Sequence, residues 1–106
     1  DDTYYKAYYN LGNIFLNEGK PNMAVEEFKK VVKLKPEYAY GHYNLGCAYM
    51  KLGKYSKAKY EFLVATDYKN NVADFHYNLA YVYKKLNKEK QAKTYLEYYN
   101  KIINNQ

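Results

Sequence analysis

The chain has 106 residues, the length of one small domain. Its formal net charge of +6 comes from 17 lysines against 11 acidic residues, with no arginine. The planar guanidinium fork that reads phosphate and guanine is therefore missing, and the charge reads as a solvated lysine surface rather than a specific nucleic-acid interface. Heavy use of Lys, Asn, Tyr and Ile also fits the codon bias of an AT-rich genome, a second source for the same charge. Cys47, the one cysteine, excludes an intrachain disulfide and a cysteine-based metal site, which suits a reducing compartment and favours the cytoplasm. No apolar stretch is long enough to cross a membrane, and no signal-peptide pattern is present. The first residue is Asp rather than Met, so the chain reads as a piece of a longer protein.

Taken in order, the first apolar series is Tyr4, Tyr8, Leu11 and Phe15, and the second is Val25, Phe28, Val31 and Val32. Both have helical spacing and predict two amphipathic helices. Between them lies Glu18-Gly19-Lys20-Pro21, where Gly19 supplies the left-handed geometry that ends one helix and Pro21 suits the first turn of the next. A break near Pro36 closes this pair. Gly53 marks the turn of a second pair and Asn87 that of a third, with another break near Asn70-Asn71. The prediction is six helices in three hairpins.

The hairpins are copies of one unit. Tyr9-Asn10-Leu11-Gly12, Tyr43-Asn44-Leu45-Gly46 and Tyr77-Asn78-Leu79-Ala80 follow one another at a period of 34 residues. Ala24 with Phe28, Ala58 with Phe62 and Ala92 with Leu96 recur at the same period. The small residues are expected where two helices approach closely, with the large residue four positions later on the same face. In full, the units read Tyr8, Leu11, Gly12, Phe15, Ala24, Phe28, Pro36; then His42, Leu45, Gly46, Tyr49, Ala58, Phe62, Asn70; then His76, Leu79, Ala80, Tyr83, Ala92, Leu96, Asn104. This pattern resembles the tetratricopeptide repeat family, with Tyr or His where the family often has Trp and the closing Pro kept once.

The resemblance implies an all-α, right-handed superhelical solenoid of three helix-turn-helix repeats, about 5–38, 39–72 and 73–106, forming a single domain over 1–106. It also implies a protein-interaction module that takes an extended or partly helical peptide segment in a concave groove lined by the first helices. Carried over by the period, the groove holds Tyr9, Asn10, Asn13, Leu16 and Asn17 from the first repeat, and Tyr40, Tyr43, Asn44, Cys47, Met50 and Lys51 from the second. The third repeat adds Asp74, Tyr77, Asn78, Tyr81, Lys84 and Lys85.

Asn10, Asn44 and Asn78 stand once per repeat, and a side-chain amide offers both donor and acceptor to a peptide backbone. The same amides can also hydrogen-bond locally. Tyr9, Tyr43 and Tyr77 supply flat contact with a polar tip, while Met50 beside Cys47 offers a softer patch or fills the seam.

One subset of the family grips chaperone C-termini through a clamp of Lys, Asn, Asn, Lys and Arg. Asn13 and Asn44 match its two asparagines, but its cation positions fall on Tyr9, Asp74 and Asn78, which argues against that specificity here.

His42 and His76 read as seam-packing residues, since neither has Cys or a second His at ligand spacing, and no cofactor is expected. Nothing resembles a nucleophile with its base or a phosphate-cradling loop, so the chain does not read as an enzyme. At the far end, the positions that pack on a following repeat become Lys93, Asn100 and Ile102. Tyr98, Tyr99, Ile102 and Ile103 still leave apolar surface there, so the rival reading is an assembly scaffold that docks or self-associates through this end.

Overall fold

In the computed structural model, which describes residues 3–105, six helices follow one another: α1 (Thr3–Asn17), α2 (Pro21–Leu34), α3 (Ala39–Lys51), α4 (Tyr55–Tyr68), α5 (Ala73–Lys85) and α6 (Glu89–Asn104). They form three antiparallel hairpins, and each hairpin packs on the next through its second helix. No strand occurs among the described residues.

The same backbone device makes all three hairpin turns. Gly19, Gly53 and Asn87 have φ of 73°, 74° and 61°. That left-handed residue lets the two amides that end each helix turn back onto its last carbonyls. In the first turn Lys20 N–H donates to the Phe15 carbonyl at 2.8 Å and Gly19 N–H to Leu16 at 3.0 Å; Lys54 and Lys88 repeat the longer closure on Tyr49 and Tyr83. This is the double closure of the Schellman motif. Pro21 then occupies the first turn of α2, where its missing N–H costs nothing.

The first two hairpins close on a glycine opposite a ring. A Cβ added to Gly12 would lie 2.5 Å from the Phe28 ring, and one added to Gly46 would lie 2.6 Å from that of Phe62. The third repeat has Ala80 in the glycine position and Leu96 in place of the ring, so the added methyl accompanies a narrower partner.

The core runs along the stack rather than gathering at one centre. Ala24, Phe28, Val31, Leu45, Ala48, Ala58, Phe62, Leu79 and Val82 form one buried chain of contacts through the repeats, and Ala39, Ala65 and Phe75 form a second cluster at the junction of the last two. The molecule measures 39 × 28 × 20 Å, and its first helices are brought side by side along one face.

Candidate functional site

That face carries an aromatic belt. Tyr9 meets Tyr38 edge to face at 5.3 Å, and Tyr5 meets the same ring at 5.2 Å. Tyr38 leans on Tyr40 at 6.1 Å, Tyr40 meets Phe75 at 5.3 Å, and Tyr43 stacks on Phe75 at 4.6 Å. Six rings from all three repeats are thus in continuous contact, in the offset and edge geometries that the ring quadrupole favours.

The position of each ring follows from its repeat. Tyr9 and Tyr43 are half-buried because the next repeat covers one side of them, whereas Tyr77, at the same position in the last repeat, is 51% exposed and rests on Tyr99. Burial, then the neighbouring Tyr9, Tyr5 and Tyr40 hydroxyls, push the Tyr38 phenol up to about 12. Tyr43 is raised by burial, next by Cys47 and Asp74, against a smaller lowering from the Asn78 hydrogen bond.

The three asparagines at the repeat position do not behave alike. Asn44 donates from Nδ2 to Oδ1 of Asn13 at 2.6 Å, and Asn78 donates from Nδ2 to the Tyr43 hydroxyl at 2.6 Å, so both tie one first helix to the one before it. Asn10, in the first of the three repeats, is exposed. Asn44 and Asn78 each keep a carbonyl oxygen and one N–H beyond the bond described.

The remaining groove residues divide by exposure. Cys47 and Met50 are half-buried against the core and fill the seam, while Lys51, Asp74, Tyr81, Lys84 and Lys85 are exposed, with the Lys85 ammonium 5.5 Å from the centre of the Tyr81 ring. Leu16 packs on the core and Asn17 is exposed.

Burial pushes the Cys47 thiol up to about 11, opposed by the Tyr43 hydrogen bond and Lys51 and assisted by Asp74. A thiol held protonated is a poor nucleophile. The face can therefore offer ring surface, amide hydrogen bonds and peripheral ammonium groups. Among the described residues no cluster of His, Cys, Asp and Glu could hold a metal ion.

Tyr5, Tyr38 and Phe75 complete the belt and were not among the residues expected from the period. Tyr38 precedes α3 and enters through the conformation of the Pro36 loop, which no helical spacing encodes. Phe75 stands where the other units have Ala7 and Gly41, and that jump in size is the one signal in the sequence.

The two histidines are structural, as their seam positions imply. His42 donates from Nε2 to the Pro36 carbonyl at 2.7 Å and places Nδ1 2.9 Å from Glu61 Oε1, an acceptor for a second N–H when the ring is protonated. Burial works to lower its pKa, but the Glu61 hydrogen bond, the Pro36 carbonyl and the Glu61 charge together raise it. His76 donates from Nε2 to the Asn70 carbonyl at 2.8 Å and lies against the Tyr95 and Tyr98 rings.

At the far end, the four residues expected to form one docking surface separate. Tyr98 and Ile102 border a crevice with His76, Asn70 and Lys101, whereas Tyr99 turns toward Tyr77 on the other flank of α6. Ile103 is 37% exposed. Among the described residues no helix is long and apolar enough to cross a membrane.

Similar architectures occur in solved structures. The crystal structure of MamA superposes with a TM-score of 0.90 at 28% identity, covering 92% of this chain and 57% of that one. MamA from Desulfovibrio magneticus RS-1 gives 0.91 at 22% identity, over 96% of this chain and 58% of that one. The first TPR domain of Spaghetti (RPAP3), solved with the HSP90 peptide SRMEEVD bound, gives 0.95 at 20% identity, over 100% and 84%. The chain thus spans a little over half of the MamA structures it matches. No curated protein matches its sequence. The family model described as "TPR repeat" matches residues 12–53 and 46–87, and that described as "Tetratricopeptide repeat" matches 73–104. With repeat models matching from residue 12 to residue 104, the chain belongs to the tetratricopeptide repeat family, a family of protein-interaction modules rather than enzymes.

Proposed function

We propose that the chain binds an extended or partly helical segment of a partner protein along the face formed by α1, α3 and α5. The observation that carries this reading is the belt of half-buried tyrosines, Tyr5, Tyr9, Tyr38, Tyr40 and Tyr43, seated on the buried Phe75 ring, beside amides that keep hydrogen-bonding capacity beyond the bonds described. Rings of this kind give large contact area at low entropic cost, and amides pair with a peptide main chain whatever its side chains.

The chemistry disfavours an anchor that depends on a terminal carboxylate. Of the clamp's cation positions, Tyr9 is packed into the belt, Asn78 is bonded to Tyr43, and Asp74 would repel the bound anion. Its two asparagines, Asn13 and Asn44, are bonded to each other. The bound segment is therefore read through its apolar side chains and backbone, with Lys51, Lys84 and Lys85 favouring acidic residues at its edge.

Selection from a displayed random-peptide library would test this. Enriched peptides should carry aromatic or aliphatic side chains at spaced positions. They should lose about tenfold or more in affinity to a Tyr81→Ala, Lys84→Ala variant, the scale of losing one well-packed aromatic anchor, while its melting temperature stays unchanged. Peptides that bind wild type and variant equally would move the site off this face.

A further inference from the structure

The charge of the chain collects on one edge. Because the three hairpins stack in the same orientation, their turns line up along a single side of the molecule. With the last turn of each first helix and the first turn of each second helix, that edge comprises residues 14–24, 48–58 and 82–92. It holds eight of the 17 lysines and two of the 11 acidic residues, Glu18 and Glu89, which leaves nine of each for the rest of the chain. The whole formal excess of +6 therefore sits on the turns. Lysines that only solvate a surface interleave with acids, as they do over the remainder of this chain.

Most of the excess lies on the second and third turns. Lys20 in the first is paired with Glu18 at 3.4 Å. Lys51, Lys54 and Lys57 in the second have no acid in their segment, and Lys84, Lys85, Lys88 and Lys90 in the third share theirs only with Glu89. All seven are exposed, and none forms an ion pair among the described residues. The second hairpin has a neighbour packed on either side, so the exposure of Lys51, Lys54 and Lys57 belongs to the interior of the stack.

Two clefts meet at the second turn, one at each junction between repeats. The first, of about 380 Å³, is bordered by Met23, Tyr49 and Leu52, with Lys29 and Glu26 offsetting each other in its wall. The second, of about 450 Å³, is bordered by Tyr55 and Leu86. Lys54 and Lys57 border both, and the Lys57 ammonium lies 5.6 Å from the centre of the Tyr49 ring. Helices α4 and α6 also begin at Lys54 and Lys88 without a side-chain cap, so first-turn N–H groups remain for an incoming anion.

We propose that this edge binds an acidic segment of a partner protein, which seats apolar side chains in the two clefts and lays carboxylates on Lys54 and Lys57 between them. The field of seven ammonium groups without acidic partners attracts and orients such a segment, and the clefts supply packed contact that charge alone does not. Nucleic acid is the poorer fit, because no arginine is present for bidentate phosphate contacts. An anionic bilayer would meet the charge and leave the clefts unfilled. The turn tips, Gly53-Lys54 and Asn87-Lys88, carry no apolar side chain to insert into it, and Leu52 packs back onto the core. The site is separate from the tyrosine belt, and its test uses Lys54 and Lys57, which lie outside the first-helix face.

Fluorescence anisotropy tests it, with a short labelled peptide of glutamates carrying two phenylalanines. Beside it are set the same peptide with glutamine for glutamate, an all-glutamate peptide, a DNA duplex, and vesicles of phosphatidylserine and phosphatidylcholine. The glutamate-phenylalanine peptide should bind most tightly, with an affinity that falls as salt rises. A Lys54→Glu, Lys57→Glu variant should lose about tenfold or more, while Lys33→Glu, Lys69→Glu, the same charge change on the opposite edge, should stay within about twofold of wild type. Circular dichroism confirms that both variants are folded, and Lys54→Gln, Lys57→Gln gives a milder version. Equal losses in the two charge-reversed variants would reduce the effect to net charge and overturn the proposal. Absence of binding, equal affinity for the all-glutamate peptide, or tighter binding of the duplex or the vesicles would overturn it as well.

Discussion

Gly46 and Phe62 cannot be understood separately. The Phe62 ring occupies the space that a Cβ on Gly46 would need, at 2.6 Å and 2.8 Å, with the Ala58 carbonyl 3.2 Å away on the same side. The third repeat takes the other solution, Ala80 with Leu96. Gly46→Ala should therefore destabilise the fold by about 1–3 kcal/mol through overpacking. Adding Phe62→Leu should return part of that loss, although Phe62→Leu alone is also destabilising. A double-mutant cycle by chemical denaturation measures the coupling, and purely additive effects would show that the pair does not share one space. These pairs were legible in the sequence because close helix approach imposes a small residue at a fixed spacing from a large one. The bonds that tie the repeats together were not. Asn44 could equally address a peptide or a neighbour, and only the juxtaposition of α1 and α3 brings Asn13 within 2.6 Å of it.

At the scale of elements, hairpin turns and helix seams differ in how openly the sequence announces them. Gly19, Gly53 and Asn87 mark their turns because few other residues take positive φ, a local requirement. The bond between His42 and Glu61 joins α3 to α4 across 19 residues and depends on how the two helices are rotated, which residue identity alone does not give. The corresponding position in the third repeat is Tyr95, whose ring stacks on that of His76 in place of such a hydrogen bond.

This difference has a pH consequence. The His42 pKa is raised above its ordinary value of 6.5, with burial opposing and Glu61 and Pro36 prevailing. A raised folded-state pKa means that the contribution is fully present below the unfolded value and is lost as pH rises through the folded one. Unfolding measured between about pH 6 and pH 8 should show wild-type stability declining from this source, with a smaller decline in Glu61→Gln. Equal slopes in the two proteins would assign the pH dependence to other groups.

For the molecule as a whole, the stack does two things at once. It spreads a thin core along the repeats, and it aligns the first helices so that rings too far apart in sequence for any local pattern become one surface. The 34-residue period revealed the solenoid and the face. It did not reveal that Tyr38 and Phe75 bridge the repeats, since one enters from a loop and the other occupies a position held elsewhere by Gly41 and Ala7. The end positions teach the same lesson. Tyr98 and Tyr99 are adjacent in sequence but turn to opposite flanks of α6, toward His76 and Tyr77 respectively.

Peptide recognition by the first-helix face is tested most directly by amide chemical-shift mapping of the isotope-labelled chain titrated with a library-selected peptide. The largest shifts should fall on α1, α3 and α5, around Tyr40, Asn44, Asn78 and Tyr81, with little change at Lys29, Lys33, Tyr60 and Lys90 on the second helices. Shifts concentrated on α2, α4 and α6, with the belt unperturbed, would contradict it.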